Sequence, residues 1–409
     1  MKYGYDRSVL KGLGVGPFLG LEKARDAVIG EAPDTMPQSI FNANRLAKSL
    51  HPDVQHATIA AVTDHGGARS YKLVPDRAKG TEKMAFFRAS QYVSVALDMG
   101  GGVHISKPYT IRSAPHEALG EESSYTLTIK LTDPAYASKH ILDAWKQGDP
   151  VDISGPLGDF YYQRLRDAGH VVAIAGGSGI TPFCSMASAI ADGDEDFAMT
   201  ILYGSRTAGG ILLKDEIEQI AARSGGRVKV VHVLSDEEAE GFEHGFITAE
   251  LIKKYAPEED FSLFMCGPKA MYDFAEKEAA KLGLPGRRVR REMSGDYMQV
   301  EKAAGYPQEA SGKTFSLMVD IRGTKRKIEA RGGESLMWAM ERAGIAVPSH
   351  CRSGECGWCH SRLVSGDVFI PPDADGRRLA DVKFGWIHPC GSFPLSDAEI
   401  QIFPKTERT

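Results

Sequence analysis

The chain has 409 residues, 42% of them hydrophobic and 25% charged, with a formal net charge of -5. That length accommodates roughly two to four domains, and so mild a charge excludes reliance on nucleic acid or an anionic membrane as partner. No run of about eighteen apolar residues argues for a membrane span, and the first twenty residues lack the apolar stretch of a signal peptide. The expected setting is therefore the cytoplasm, where cysteines stay reduced.

Residues 1–50 read as an N-terminal extension of unassigned role. Gly12-Leu-Gly14-Val-Gly16 has no preceding strand and reads as a flexible glycine loop rather than a dinucleotide fingerprint. Ile40, Ala43, Ala47 and Leu50 recur at helical spacing. They predict a short amphipathic helix from Ser39, ending before Pro52 and packing against the body or a partner.

Over residues 51–160 the period shortens. Ala57–Thr63, Ser70–Val74, Gln91–Leu97 and Tyr125–Leu131 are rich in β-branched and aromatic residues and are punctuated by glycines. They predict a small antiparallel β-barrel. Within it, Lys107-Pro-Tyr109-Thr110-Ile-Arg-Ser113 resembles the R-x-Y-[ST] segment of ferredoxin–NADP reductase-type flavoproteins. The resemblance implies a flavin, with Tyr109 as stacking surface and the Thr110 hydroxyl beside N5. Lys107 stands where the family has an arginine against the flavin phosphates, keeping the charge without the bidentate fork. Ser113 closes the segment. Ala135-Tyr-Ala-Ser138-Lys-His-Ile141 is similar to the family's G-x-x-S-x-x-L helix start, with alanine in place of the glycine. It implies Ser138 near a phosphate and FAD as the flavin, with FMN possible. Gly148-Asp149 and Ser154–Phe160 are similar to the family's exit from the barrel.

Residues 161–293 alternate buried strands with helices. His170–Ala175, Met199–Tyr203, Val228–Leu234 and Phe261–Cys266 predict a doubly wound α/β nicotinamide domain. Gly176-Gly177-Ser178-Gly179-Ile-Thr181 follows the first of these strands, where a glycine loop and a helix start suit a pyrophosphate. Ser205-Arg206 and Cys266-Gly267-Pro268 lie where this family places its nicotinamide dinucleotide. The resemblance implies Thr181 and Cys266 beside the nicotinamide ring and Glu292 near the reaction centre, although a small buried hydrophobe and a solvated charge are open readings of the last two. Leu234-Ser235 runs into Asp236-Glu237-Glu238, carboxylates that would repel a 2′-phosphate, so NADH is the expected nucleotide.

Residues 294–312 read as a linker, and 313–409 as a plant-type ferredoxin domain of α+β (β-grasp) class. Thr314–Arg322 and Lys325–Ala330 predict a hairpin, Glu334–Ala343 a helix, Leu363–Phe369 a strand pair and Ile400–Ile402 a last strand. Cys351, Cys356 and Cys359 in C-x4-C-x2-C spacing, with distant Cys390, match the ligand spacing of a [2Fe–2S] cluster. Zinc sites favour paired C-x2-C hooks or Cys/His sets. Neighbouring Trp358, Trp386, His350, His360 and His388 read as shielding or surface, because four cysteines already complete the ligand set.

The order flavin, nicotinamide, ferredoxin resembles the single-chain reductases that feed Rieske-type oxygenases. A nicotinamide delivers two electrons as hydride and the cluster carries one, so a flavin belongs between them. The implied enzyme passes electrons from NADH through flavin to the cluster, then to an external one-electron acceptor protein such as an oxygenase or demethylase. Two other readings stay open on sequence: a subunit reducing NAD in the reverse direction, and a redox-sensing binding module.

Overall fold

In the computed structural model of the protein, residues 20, 24, 27–28, 31, 42–132, 136–292 and 295–403 are described. The Gly12–Gly16 loop, Ile40 and Ala135 lie outside them. Residues 1–49 form a unit of their own. A helix spans Asn42–Leu50, with its Leu46 and Leu50 exposed, and residues 39–41 of the expected helix lie outside the described residues.

The second unit, 50–409, contains three main sheets. The first is made of β1 (Gln55–Asp64), β2 (Ala68–Pro75), β3 (Tyr92–Asp98), β4 (His104–Thr110), β5 (Tyr125–Lys130) and β6 (Pro150–Leu157), in the order β4-β3-β6-β1-β2-β5. All its pairings are antiparallel. The predicted barrel is not closed by a ladder. A single bridge between Ile111, just after β4, and Leu127 on β5 joins the two edges. Alternation along β1 sends Ala57 and Ile59 inward to meet Tyr71, Leu73, Val93, Val95 and Leu127 in one core.

The second sheet is parallel, made of β7 (His170–Gly176), β8 (Ala198–Ser205), β9 (Val228–Leu234), β10 (Glu243–His244), β11 (Ser262–Cys266) and β12 (Val289–Arg291). Its order is β10-β9-β8-β7-β11-β12. The central strand β7 is buried from Val171 to Gly176, as its unbroken apolar run requires when helices cover both faces. Separate cores flank the two faces, one around Phe183, Ile190 and Ile217 and the other around Ile174, Ile252 and Ala275.

The third sheet has β13 (Thr314–Ile321), β14 (Thr324–Arg331), β15 (Ser361–Ser365), β17 (Trp386–Ile387) and β19 (Ala398–Ile402), in the order β14-β13-β19-β15-β17. The helix Leu336–Arg342 buries Leu336, Met337, Ala339 and Met340 against it. Leu363–Phe369 is not a pair with itself: β16 (Val368–Phe369) pairs instead with β18 (Phe393–Pro394) in a separate ribbon. The expected linker is also not a free tether. Val300, Tyr306 and Ala310 are buried and pack with Phe393, which anchors this segment to the third domain.

Candidate redox centre

Four sulfurs gather on the loop after Val347 and on Cys390. Cys351, Cys359 and Cys390 are buried and Cys356 is exposed, with Cys359 Sγ and Cys390 Sγ 3.4 Å apart. Backbone amides donate to them: Ser353 N and Cys356 N to Cys351 Sγ (3.4 and 3.3 Å), Gly354 N to Cys390 Sγ (3.2 Å) and Trp358 N to Cys356 Sγ (3.5 Å). Gly354 is required here. Its φ is +84°, and a Cβ would lie 2.0 Å from the Ala374 carbonyl oxygen. Among the described residues no group of three or more His, Cys, Asp or Glu is arranged to hold a single ion. A two-iron cluster instead takes two thiolates per iron, and a cysteine set with amides aimed at sulfur fits that chemistry. His360 stacks on Trp386 (4.2 Å between ring centroids, 8° apart), and His388 Nδ1 bonds the Gly354 carbonyl. These rings line the cluster loop without being needed as ligands.

Tyr109 and Thr110 end β4 and are half-buried. Val93 and Tyr92 of β3 lie opposite them in register. Burial pushes the Tyr109 phenol up, so it stays neutral. Lys107 is buried, but its ammonium is ion-paired with Asp296. It also lies 5.3 Å from the Trp338 ring centroid. Burial lowers the Lys107 pKa, and Asp296 opposes this. Thus the charge expected against flavin phosphates is engaged by a carboxylate of the segment before the third domain. Ser113 Oγ accepts from Thr126 N (3.1 Å), and its carbonyl accepts from Ser185 Oγ (2.8 Å) on the second domain's first helix. Arg112, next to it, pairs with Glu216 of that domain. Ser138 lies in the helix Ala137–Ala144, with its hydroxyl 2.9 Å from Thr132 Oγ1.

The glycine loop runs from the end of β7 through a 3-10 turn, Gly177–Ile180, into the helix Thr181–Asp192. Gly177 has φ +54°, and its carbonyl is 2.9 Å from Tyr203 Oη. Gly176 and Gly179 face Gly267 and Cys266 at the end of β11, so these two predicted segments do meet. Ser178 accepts from Thr181 Oγ1 through its carbonyl (2.9 Å). Gly267 N donates to Tyr272 Oη (3.1 Å), and Pro268 caps the helix Lys269–Ala280. Desolvation pushes the half-buried Cys266 thiol up. Glu292 is buried one residue beyond β12, with its amide bonded to the Met265 carbonyl (2.9 Å). Ser205 ends β8 and Arg206 follows it, where Arg206 Nε pairs with Asp236 Oδ2 at 2.7 Å and Ala208 N donates to Glu237 Oε2 at 2.8 Å. A carboxylate of the acidic run thus pairs with Arg206, the arginine expected to attract a 2′-phosphate, although its side chain stays exposed.

The residue that sequence reasoning missed is Arg352, inside the cysteine loop. It is fully buried and has φ +61°. Its guanidinium grips Glu341 with two bonds (2.6 and 2.8 Å), donates to Asp296 Oδ1 (2.7 Å), and reaches the Ser106 carbonyl on β4 (3.2 Å). Burial pushes the Asp296 carboxyl up, but Arg352 and Lys107 together overcome this and hold it well below the carboxylate range. The Cys351 carbonyl also accepts from Gly295 N (2.8 Å). The cysteine loop is thereby tied to β4 and to the segment just after Glu292.

Two family models match: "Oxidoreductase NAD-binding domain" over residues 173–277 and "2Fe-2S iron-sulfur cluster binding domain" over 319–395. The chain is 26% identical to the ferredoxin reductase component of 3-ketosteroid-9-alpha-monooxygenase from Rhodococcus rhodochrous, over 83% of this chain and 94% of that one. It is 25% identical to the glycine betaine monooxygenase reductase subunit of Chromohalobacter salexigens, over 77% and 87%. Phthalate dioxygenase reductase shares the fold, with a TM-score of 0.62 at 22% identity, covering 86% of this chain and 98% of that one. The chain therefore carries an oxidoreductase NAD-binding domain followed by a [2Fe–2S] cluster binding domain, and over most of its length it is similar to reductase components of oxygenase systems.

Proposed function

We propose that this protein is an NADH-dependent iron–sulfur flavoprotein reductase that passes electrons to an external one-electron acceptor protein. The observation that carries the reading is the convergence of three modules. The cysteine loop bonds to β4 beside Tyr109 through Arg352, and to the segment following Glu292 through Cys351. Tyr92, opposite Thr110, lies within electrostatic reach of Cys351, Cys356 and Glu292.

When bound, FAD (or FMN) would supply the conversion between the two-electron chemistry of NADH and the one-electron chemistry of the [2Fe–2S] centre. Tyr109 offers the flat ring a stacking face and Thr110 a hydroxyl for its polar edge. The Gly176–Gly179 backbone and the start of the following helix receive the dinucleotide phosphates, while Ser205 and Arg206 meet the adenosine end. Cys266 and Thr181 border the nicotinamide, Cys266 as a neutral thiol that adds no charge there. Ser138 and Ser113 support the flavin's polar tail and its strand. Cys351, Cys356, Cys359 and Cys390 hold the cluster, with amides that stabilise charge on sulfur.

Two of the relatives named above are reductase components of monooxygenases. An oxygenase is accordingly the acceptor class proposed here, with a demethylase or other redox protein drawing on the same chemistry. Iron, sulfide and flavin content of the purified protein, with anaerobic NADH reduction of cytochrome c as surrogate acceptor, tests the reading. Turnover dependent on both cofactors supports it; loaded protein inert to NADH overturns it.

A further inference from the structure

Four buried charges form one continuous chain across three parts of the molecule. Lys107 of β4 pairs with Asp296, Asp296 with Arg352 of the cysteine loop, and Arg352 with Glu341 of the helix Leu336–Arg342. Two cations face two carboxylates, so the chain is neutral, and every member is less than one-tenth exposed or nearly so. Such a set is weak evidence for stability, because desolvating four ions offsets most of their attraction. Its geometry suits a different purpose. Lys107 is two residues from Tyr109, and Arg352 follows Cys351 directly. Asp296 is the joint between them, with Oδ2 on Lys107 and Oδ1 on Arg352. Arg352 holds a left-handed backbone to do this, a conformation disfavoured for a residue with a Cβ.

We propose that Asp296 is a positioning residue for internal electron transfer. By clamping Lys107 to Arg352 it fixes the flavin strand against the first cluster cysteine, and so sets the spacing across which the electron crosses. This rests on the function proposed above. It assigns Lys107 a latch role in this chain, and it makes the interdomain segment part of the redox device.

The clamp is tested in full-length holoprotein by anaerobic stopped-flow with NADH, following flavin and cluster absorbance separately. Asp296→Asn keeps the shape but removes the carboxylate shared by Lys107 and Arg352, leaving Arg352 to Glu341 alone and Lys107 without its ion-pair partner. Electron transfer weakens with separation and with loss of a fixed geometry, so cluster reduction by flavin is expected to slow by about tenfold, with flavin reduction by NADH within about twofold of the parent. The EPR spectrum of the dithionite-reduced cluster stays unchanged, and Asp296→Glu recovers most of the rate, which a general packing defect would not show. An unaltered flavin-to-cluster rate, or a slowed rate accompanied by an altered cluster spectrum, overturns the proposal. If Asp296→Asn yields no holoprotein, Arg352→Lys decides, since lysine cannot bridge Asp296 and Glu341 together: parental transfer rates there overturn it. Absence of flavin bleaching in the parent protein would instead reject the underlying function.

Discussion

Gly179 faces the backbone of Cys266 so closely that a Cβ at 179 would lie 2.0 Å from the Cys266 carbonyl oxygen. Two segments about ninety residues apart in sequence, as adjacent crossovers in a parallel sheet allow, are thereby pressed into one floor. The contact is to backbone, so no side chain can swing aside.

Gly179→Ala therefore forces the loop away from β11. Overpacking of this kind costs about 1–3 kcal/mol. NADH affinity should weaken by about tenfold or more, read by titration of the oxidised protein, with flavin and iron content retained. An unchanged affinity would mean the glycine loop does not carry the nucleotide.

Nucleotide choice turns on Asp236, which holds Arg206 at 2.7 Å. The parent should favour NADH over NADPH in kcat/KM. Asp236→Ala frees the arginine and removes a repelling carboxylate, so kcat/KM for NADPH should rise by about tenfold, a modest gain because both side chains are largely exposed. A parent that prefers NADPH would refute the assignment.

Glu292 supplies a pH dependence. Burial first, then the nearby Glu355 and Asp159 carboxylates, pushes its carboxyl from 4.5 up to about 8. Between those values the folded protein holds a proton that the unfolded chain releases. This group's contribution to stability is thus fully present at the acid end and lost as pH rises toward about 8. Glu292→Gln should flatten the fall in thermal midpoint between about pH 6 and about pH 8 by several degrees. An identical slope in parent and variant would show that Glu292 does not titrate there.

Much of the fold was legible because its signals are local. The apolar run His170–Ala175 before Gly176 and the alternation in Ala57–Thr63 each announce a strand within one residue or two of where it lies. The cysteine spacing is equally local. Strand β4 was readable only as a motif, since Lys107-Pro-Tyr-Thr lacks a clean alternation, and short β10 and β12 carry too few residues to show a period. The two residues of β16 looked like the return arm of a hairpin, but Phe393–Pro394 captured them. The Arg352 contacts could not be foreseen at all. Ser106 is 246 positions away and Asp296 is 56, and a charged residue in a loop ordinarily signals solvent. What sequence did contain was an arginine between two ligands, without a hint of which carboxylate it would meet.

The order of electron flow, from nucleotide through flavin to cluster, is probed by Cys356→Ser. Cys356 is the exposed member of the four cysteines. Anaerobic stopped-flow of this variant with NADH, alongside an acceptor such as cytochrome c, should show flavin bleaching at the parental rate while acceptor reduction falls by at least about tenfold. Loss of flavin bleaching together with delivery, or parental delivery without this cysteine, would contradict a path that runs from nucleotide to flavin to cluster.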